Sequence, residues 1–231
     1  MRTLLFDIDG TLALTAEADG PCFADAYQAV FHHAPESVVW EDYAHVTDWG
    51  ILDESLGNTR GRSSTRAERA AFEDAYRAAW EVAQNANPAA CEEVPGAAAL
   101  VAEIVANPQT RCGVATGGTR AAAQFKLSAV GIDPNHLPGA YANDSISRSS
   151  ILLNALRVLG ARPADVVYVG DGGWDVQTCR TLGMPFIGIA AETSADMLQS
   201  AGANAVMANF ADRDAFWSAV ECAVPPSPST V

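Results

Sequence analysis

The sequence predicts an α/β fold, a parallel sheet covered on both faces with a helical cap inserted after the first strand. Three observations carry this expectation. Short apolar runs rich in Val, Ile and aromatics recur at Thr3–Phe6, Arg111–Ala115, Val166–Val169 and Pro185–Ile189. Alanine-rich segments with helical spacing lie between them, at Arg120–Val130, Ser149–Leu159 and Asp175–Leu182. The interval from Thr15 to Val94 breaks the pattern: it holds Trp40, Trp49 and Trp80, helical stretches at Cys22–Phe31 and Thr65–Gln84, and no strand run before Pro95-Gly96 closes it.

Each element follows from these patterns. Alternating strands and helices of this length require crossover connections, and crossovers cover both faces of a parallel sheet, giving a Rossmann-like core. In such sheets the ligand crevice lies at the carboxyl ends of the strands. Residues 1–14 and 95–231 are assigned to the core, with a frayed tail over 224–231, where Pro225-Pro-Ser-Pro-Ser-Thr-Val231 lacks core-forming residues. Residues 15–94 are assigned to the cap. A chain of 231 residues that is 49% hydrophobic is long enough for one sizeable core plus a small accessory domain.

Charge and cysteine usage narrow the function. With 28 acidic against 14 basic residues the formal charge is -14, which opposes binding to nucleic acid or an anionic membrane. The partner expected is a small molecule. No run of about 18 apolar residues and no leader-like start is present, so a cytoplasmic protein is expected. Cys22, Cys91, Cys112, Cys179 and Cys222 are scattered, odd in number and without a Cys-x-x-Cys pair, so they are expected to be small buried apolar residues rather than disulfide or zinc partners. His32 and His33 fall side by side on an expected helix and diverge too far to share a metal.

Chemistry concentrates where strands end. In Phe6-Asp7-Ile8-Asp9-Gly10-Thr11 two carboxylates stand two positions apart, so both can point to one side of an extended chain. Like charges that close favour a cation or shared proton, although Asp-Gly also reads as a plain turn. Val114-Ala-Thr116-Gly117-Gly118-Thr119 sets a hydroxyl and bare backbone at a helix start, which suits an anion or an ordinary cap. Gly170-Asp171-Gly172-Gly173-Trp174-Asp175 adds two carboxylates four apart, on one face if the helix begins near Asp171. Three polar clusters, each after its own strand, converge at one sheet edge.

These three segments resemble motifs one, two and four of the haloacid dehalogenase-like hydrolase superfamily, and the insertion resembles the helical cap of its phosphoglycolate phosphatase and β-phosphoglucomutase branches. The resemblance implies that Asp7 is the nucleophile and Asp9 the general acid and then base, with Gly10 and Thr11 beside the phosphoryl group. It implies that Thr116, Gly117 and Gly118 hold phosphoryl oxygens, and that Mg²⁺ is bound by Asp7, the Asp9 carbonyl, Asp171 and Asp175. Mg²⁺ suits that set because it takes oxygen ligands and keeps several waters.

The third motif, a lysine in relatives, reads Ser147-Arg148-Ser149 here, and Arg148 is the candidate cation, since a guanidinium contacts carboxylate and phosphate together. Lys126, the only lysine, is the rival for that role; it sits within the preceding helical segment and is expected at the surface instead. In the cap, Thr47 and Asp48, or Arg60 and Arg62 in an expected loop over Gly57–Arg62, are candidates to face the substrate. The resulting expectation is a Mg²⁺-dependent phosphatase acting on phosphoglycolate or a sugar phosphate through an aspartyl phosphate. A phosphomutase using the same intermediate and a non-catalytic phosphometabolite-binding protein are the alternatives.

Overall fold

The chain opens with β1 (Arg2–Phe6), whose Leu4, Leu5 and Phe6 are fully buried, in a computed structural model that describes residues 2–228. A short β2 (Ala13–Leu14) follows, then α1 (Ala16–Phe31), α2 (Asp48–Arg60), α3 (Arg66–Ala86) and β3 (Glu92–Glu93). The remainder alternates as α4 (Ala97–Ala106), β4 (Thr110–Ala115), α5 (Arg120–Ala129), β5 (Gly139–Ala140), α6 (Arg148–Leu159), β6 (Val166–Gly170) and α7 (Gly173–Leu182). β7 (Phe186–Ile189), α8 (Glu192–Ser200), β8 (Val206–Met207) and α9 (Arg213–Cys222) complete it.

The main sheet has six strands in the order β5-β4-β1-β6-β7-β8, all paired in parallel. Side chains alternate across β1, so Leu4 and Phe6 enter one hydrophobic core and Leu5 another. That two-sided burial is what a helix-covered parallel sheet requires. β1 lies centrally between β4 and β6, which places the ends of all three strands, and hence Asp7, Thr116 and Asp171, along one edge.

The helical insertion is built around aromatic packing. Phe72, Tyr76 and Trp80 repeat every four residues along α3, form one stripe and are buried. Phe23 of α1 meets Phe72 at 4.9 Å and Tyr76 at 5.9 Å between ring centroids. Thr65 and Glu68 start α3 with reciprocal hydrogen bonds, Glu68 N–H to Thr65 Oγ1 at 3.2 Å and Thr65 N–H to Glu68 Oε2 at 2.8 Å.

Several expectations are corrected here. The interval does contain a strand, because β3 pairs antiparallel with β2 to tie the two ends of the insertion together, each too short to leave a sequence pattern. Gly57–Arg60 is the last turn of α2 rather than a loop, and the helix ends in Gly61 at φ 64°. His32 is the left-handed cap after α1, so neither His32 nor His33 lies on the helix. Cys222 is exposed while the other four cysteines are buried. The expected frayed tail is anchored as far as Ser227: Phe186 N–H donates to Val224 O at 3.2 Å, Ser227 N–H to Gly202 O at 2.9 Å, and Pro226 is buried. Residues 229–231 of that tail lie outside the described residues.

Candidate active site

Asp7 leaves β1 with its N–H still held by Val169 O of β6 at 2.9 Å. The chain then turns sharply, since the N–H groups of Thr11, Leu12 and Ala13 all donate to Ile8 O. Gly10 occupies this turn at φ 70°, and a Cβ there would stand 1.8 Å from Asp171 Oδ2. The first and last acidic segments are thus packed backbone against carboxylate, and a side chain at position 10 would end that contact.

Asp171 follows β6, and Asp175 lies in the first turn of α7, where its Oδ2 accepts from Gly172 N–H at 3.1 Å. The helix begins at Gly173, so the two carboxylates are not neighbours on one helical face; the turn after β6 brings them together instead. Asp7, Asp171 and Asp175 each place a carboxylate oxygen within 4.8 Å of the others. Burial raises the pKa of all three, with Asp175 pushed up to about 7 against the opposing pull of Arg148, and Asp171 raised further by Asp7 and Asp175. Asp7 Oδ1 is buried without a hydrogen-bond partner. An orphaned carboxylate oxygen beside two more hard oxygen donors fits a divalent hard cation.

Arg148 opens α6 and is 12% exposed. Its Nη1 donates to Asp175 Oδ1 at 2.7 Å and to Asp7 Oδ2 at 3.3 Å, and its Nε donates to Val46 O at 3.3 Å. Burial opposes its charge, but Asp175 and Asp7 raise its pKa, so the guanidinium stays protonated. Trp174 lies alongside, with its ring 5.5 Å from the guanidinium carbon.

Lys126 is not at the surface. Its side chain is 2% exposed, and Nζ donates to Asp9 Oδ1 at 2.5 Å and Asp19 Oδ1 at 2.6 Å. Burial works against the ammonium, yet Asp19, Asp9 and Asp48 together raise its pKa. The sequence held a signal for this, because residue 126 falls on the same helical stripe as the buried Ala122 and Ala123. The Asp9 carboxylate, held by Lys126 and by Thr15 Oγ1 at 2.6 Å, is outside the acidic trio, so the metal role assigned to Asp9 rests on its carbonyl alone.

The insertion closes over this edge through Thr47 and Asp48. Asp48 N–H donates to Gly117 O at 2.8 Å, and Asp48 Oδ2 accepts from Thr119 N–H at 2.6 Å. Burial and the charge of Asp19 push the Asp48 carboxyl up to about 8. Between insertion and core is a cavity of about 260 Å³, bounded on the core side by Asp7, Asp9, Gly10 and the Thr116–Gly118 loop and on the other by Trp40, Thr47 and Asp48. Thr11 is buried in the turn and does not line it.

Arg60 and Arg62 do not reach the cavity. Arg60 Nη2 donates to Phe31 O at 2.6 Å, and Arg62 forms a paired contact with Glu68 at 2.6 and 2.9 Å. Both are spent on helix ends within the insertion. Among the described residues Arg148 is the cation that lines the cavity, and Lys126 stands behind Asp9.

The family described as haloacid dehalogenase-like hydrolase matches residues 1–183 of the 231. The chain belongs to the haloacid dehalogenase-like hydrolases. No curated protein matches it. Among solved structures, this hydrolase is similar to one from Pseudomonas syringae at 21% identity and TM-score 0.71, covering 94% of this chain and 98% of that one. A putative β-phosphoglucomutase from Bacteroides vulgatus gives 19% identity and TM-score 0.66, covering 96% and 89%. CbbY from Rhodobacter sphaeroides, solved with xylulose 1,5-bisphosphate, gives 18% and 0.68, covering 92% and 96%. These likenesses describe the fold. Among the described residues of this hydrolase no helix is long and apolar enough to cross a membrane.

Proposed function

We propose that this hydrolase is a Mg²⁺-dependent phosphatase of a small phosphorylated metabolite, of the phosphoglycolate or sugar phosphate type, acting through a phosphorylated Asp7. One observation carries the reading: Asp7, at the floor of a cavity of about 260 Å³, shares a buried carboxylate cluster with Asp171 and Asp175 and a guanidinium from Arg148. That volume is just under the roughly 300 Å³ at which pockets for drug-sized ligands begin, so it suits a small metabolite.

A divalent cation held by Asp7, Asp171 and Asp175 supplies positive charge to balance the phosphoryl oxygens and the carboxylates. The chain does the rest. An Asp7 oxygen attacks phosphorus, the bond from phosphorus to the alcohol oxygen breaks, and Asp9 gives that oxygen its proton. Water then attacks phosphorus, passes a proton to Asp9, and returns Asp7 to a carboxylate. Arg148, Thr116 and the backbone N–H groups of Gly117 and Gly118 orient the equatorial oxygens throughout. Thr47 and Asp48 sit against the substrate side, and the docked insertion excludes water. The solved CbbY complex with a sugar bisphosphate supports a sugar phosphate as substrate class.

The test is hydrolysis of p-nitrophenyl phosphate and a panel of phosphate monoesters with Mg²⁺ or with chelator. Metal-dependent phosphate release that is abolished in Asp7→Asn is the expected result. Conversion of a sugar phosphate to its isomer without phosphate release identifies a phosphomutase, and absence of turnover across the panel overturns the enzyme reading.

A further inference from the structure

Asp9 is held by a device that the proposed reaction does not itself explain. Its Oδ1 accepts from two donors, Lys126 Nζ at 2.5 Å and Thr15 Oγ1 at 2.6 Å. Among the described residues no donor reaches its Oδ2, which faces the cavity 3.8 Å from where a Cβ on Gly118 would stand. Lys126 is enclosed on its other sides: Nζ donates to Asp19 Oδ1 at 2.6 Å and lies 4.6 Å from the Trp80 ring centroid and 5.8 Å from that of Tyr76. Two of the three ammonium N–H groups go to carboxylates, and aromatic rings stand against the same nitrogen. Asp19 is held in turn by Tyr76 Oη at 2.6 Å.

We propose that Lys126 is a positioning residue for Asp9: together with Thr15 it pins Oδ1, so that Oδ2 is the atom that gives the proton to the departing oxygen and receives one from water. The argument is one of hydrogen count. An oxygen already accepting from an ammonium and a hydroxyl has no lone pair to spare for a third hydrogen, so a proton carried by Asp9 resides on Oδ2. That oxygen faces the Thr116–Gly118 loop, where the phosphoryl group is held in the proposed mechanism. Asp19 comes from α1 and Tyr76 and Trp80 from α3, so the insertion supplies the rest of the anchor. A cation buried without its partner carboxylates is costly, which explains why Lys126 is boxed on every side.

The inference rests on the phosphatase reading, and the test separates the two. The double variant Lys126→Met with Asp19→Asn removes the buried charges together, and a thermal melt verifies that it folds; Thr15→Val is a second variant that leaves every buried charge in place. With an alkyl phosphate, whose leaving oxygen needs a proton, kcat of the double variant falls about 100-fold while KM stays within about threefold. With p-nitrophenyl phosphate, whose leaving group needs none, the double variant still releases one p-nitrophenolate per site in a rapid burst before slow turnover, and the phosphoenzyme is seen by mass spectrometry. Thr15→Val shifts both readouts in the same direction by about tenfold or less. Unchanged alkyl phosphate kinetics, or equal loss of burst and steady state in both variants, overturns the role of Lys126 while wild-type activity leaves the phosphatase reading standing. A wild type without metal-dependent turnover overturns both.

Discussion

Arg148 Nη1 lies 2.7 Å from Asp175 Oδ1, which makes Asp175 the bracket that aims the guanidinium across Asp7. The same Asp175 is fixed by Gly172 N–H at 3.1 Å and by Tyr168 Oη at 3.3 Å, so the cation is held on a rigid support. Arg148→Ala is expected to lower kcat/KM by about 10² to 10³, the usual loss for one charge-stabilising donor. It also leaves Asp175 buried without its cation, a loss of roughly 3 kcal/mol in stability. Arg148→Lys restores charge but not the fork, and should recover part of both. Steady-state kinetics and thermal melts check this, and wild-type kinetics in the alanine variant would remove Arg148 from the site.

Metal binding should be visible in stability as a function of pH. Asp175 is raised to about 7 and Asp171 well above the ordinary carboxylate value, both by burial first. A folded carboxyl with a raised pKa contributes stability that is present below its unfolded pKa near 4 and lost as pH rises through the folded value. The metal-free protein should therefore weaken between pH 5 and pH 8. Because carboxylates hold a cation in their deprotonated form, the proposed site predicts that Mg²⁺ at a hundredfold excess over Kd adds about 2.7 kcal/mol at pH 8 and much less at pH 5. Melting curves with Mg²⁺ and with chelator at both pH values decide the matter. A Mg²⁺ shift larger at pH 5 contradicts the assignment of the trio.

Asp48 offers a separate titration away from the acidic trio. Its carboxyl is pushed up to about 8 by burial and by Asp19, against Lys126 and the Thr119 N–H bond. Its stabilising contribution is present at low pH and is lost as pH rises toward 8. Asp48→Asn keeps an oxygen for Thr119 N–H and removes the charge. The expected gain is about 2 kcal/mol at pH 9, or about 4–8 °C in Tm, and close to none at pH 5. A stabilisation of the same size at both pH values would show that charge is not the cause.

Four of the six sheet strands and the strand-end chemistry were legible because β1, β4, β6 and β7 are short apolar runs, whereas β5 and β8 are two residues long and leave no pattern. Phe6 gives way to Asp7, Ala115 to Thr116 and Gly170 to Asp171, and the strands end there. α2 was obscured by Gly57 and Gly61, which read as a loop. Thr47 as N-cap and the buried Trp49, Leu52 and Leu56 outweigh the roughly 1 kcal/mol that Gly57 costs inside a helix. Lys126 was misread because a lone lysine is almost always solvated, and its partners Asp9 and Asp19 are more than a hundred residues away in sequence. The fates of Arg60 and Arg62 depend on Phe31 O and Glu68, contacts that exist only once α1, α2 and α3 are assembled. For Lys126 it is the long-range pairing of charges, with Asp9 and Asp19, that a one-dimensional reading loses.

Gly10 ties the first acidic segment to the last, and replacing it tests the site without touching a carboxylate. At φ 70° any L side chain is strained, and a Cβ would stand 1.8 Å from Asp171 Oδ2 and 2.4 Å from its Cγ. Asp171 must shift to make room, and its carboxylate is the one that shares the 4.8 Å cluster with Asp7 and Asp175. Gly10→Ala should therefore cost about 1–3 kcal/mol in stability through backbone strain. More tellingly, it should abolish the Mg²⁺-dependent rise in Tm expected of the wild type at pH 8. A conformational cost alone would lower both curves in parallel and leave the Mg²⁺ increment intact. Calorimetric titration of Mg²⁺ into the variant gives the second measurement, and wild-type affinity there would mean that Asp171 is not a ligand.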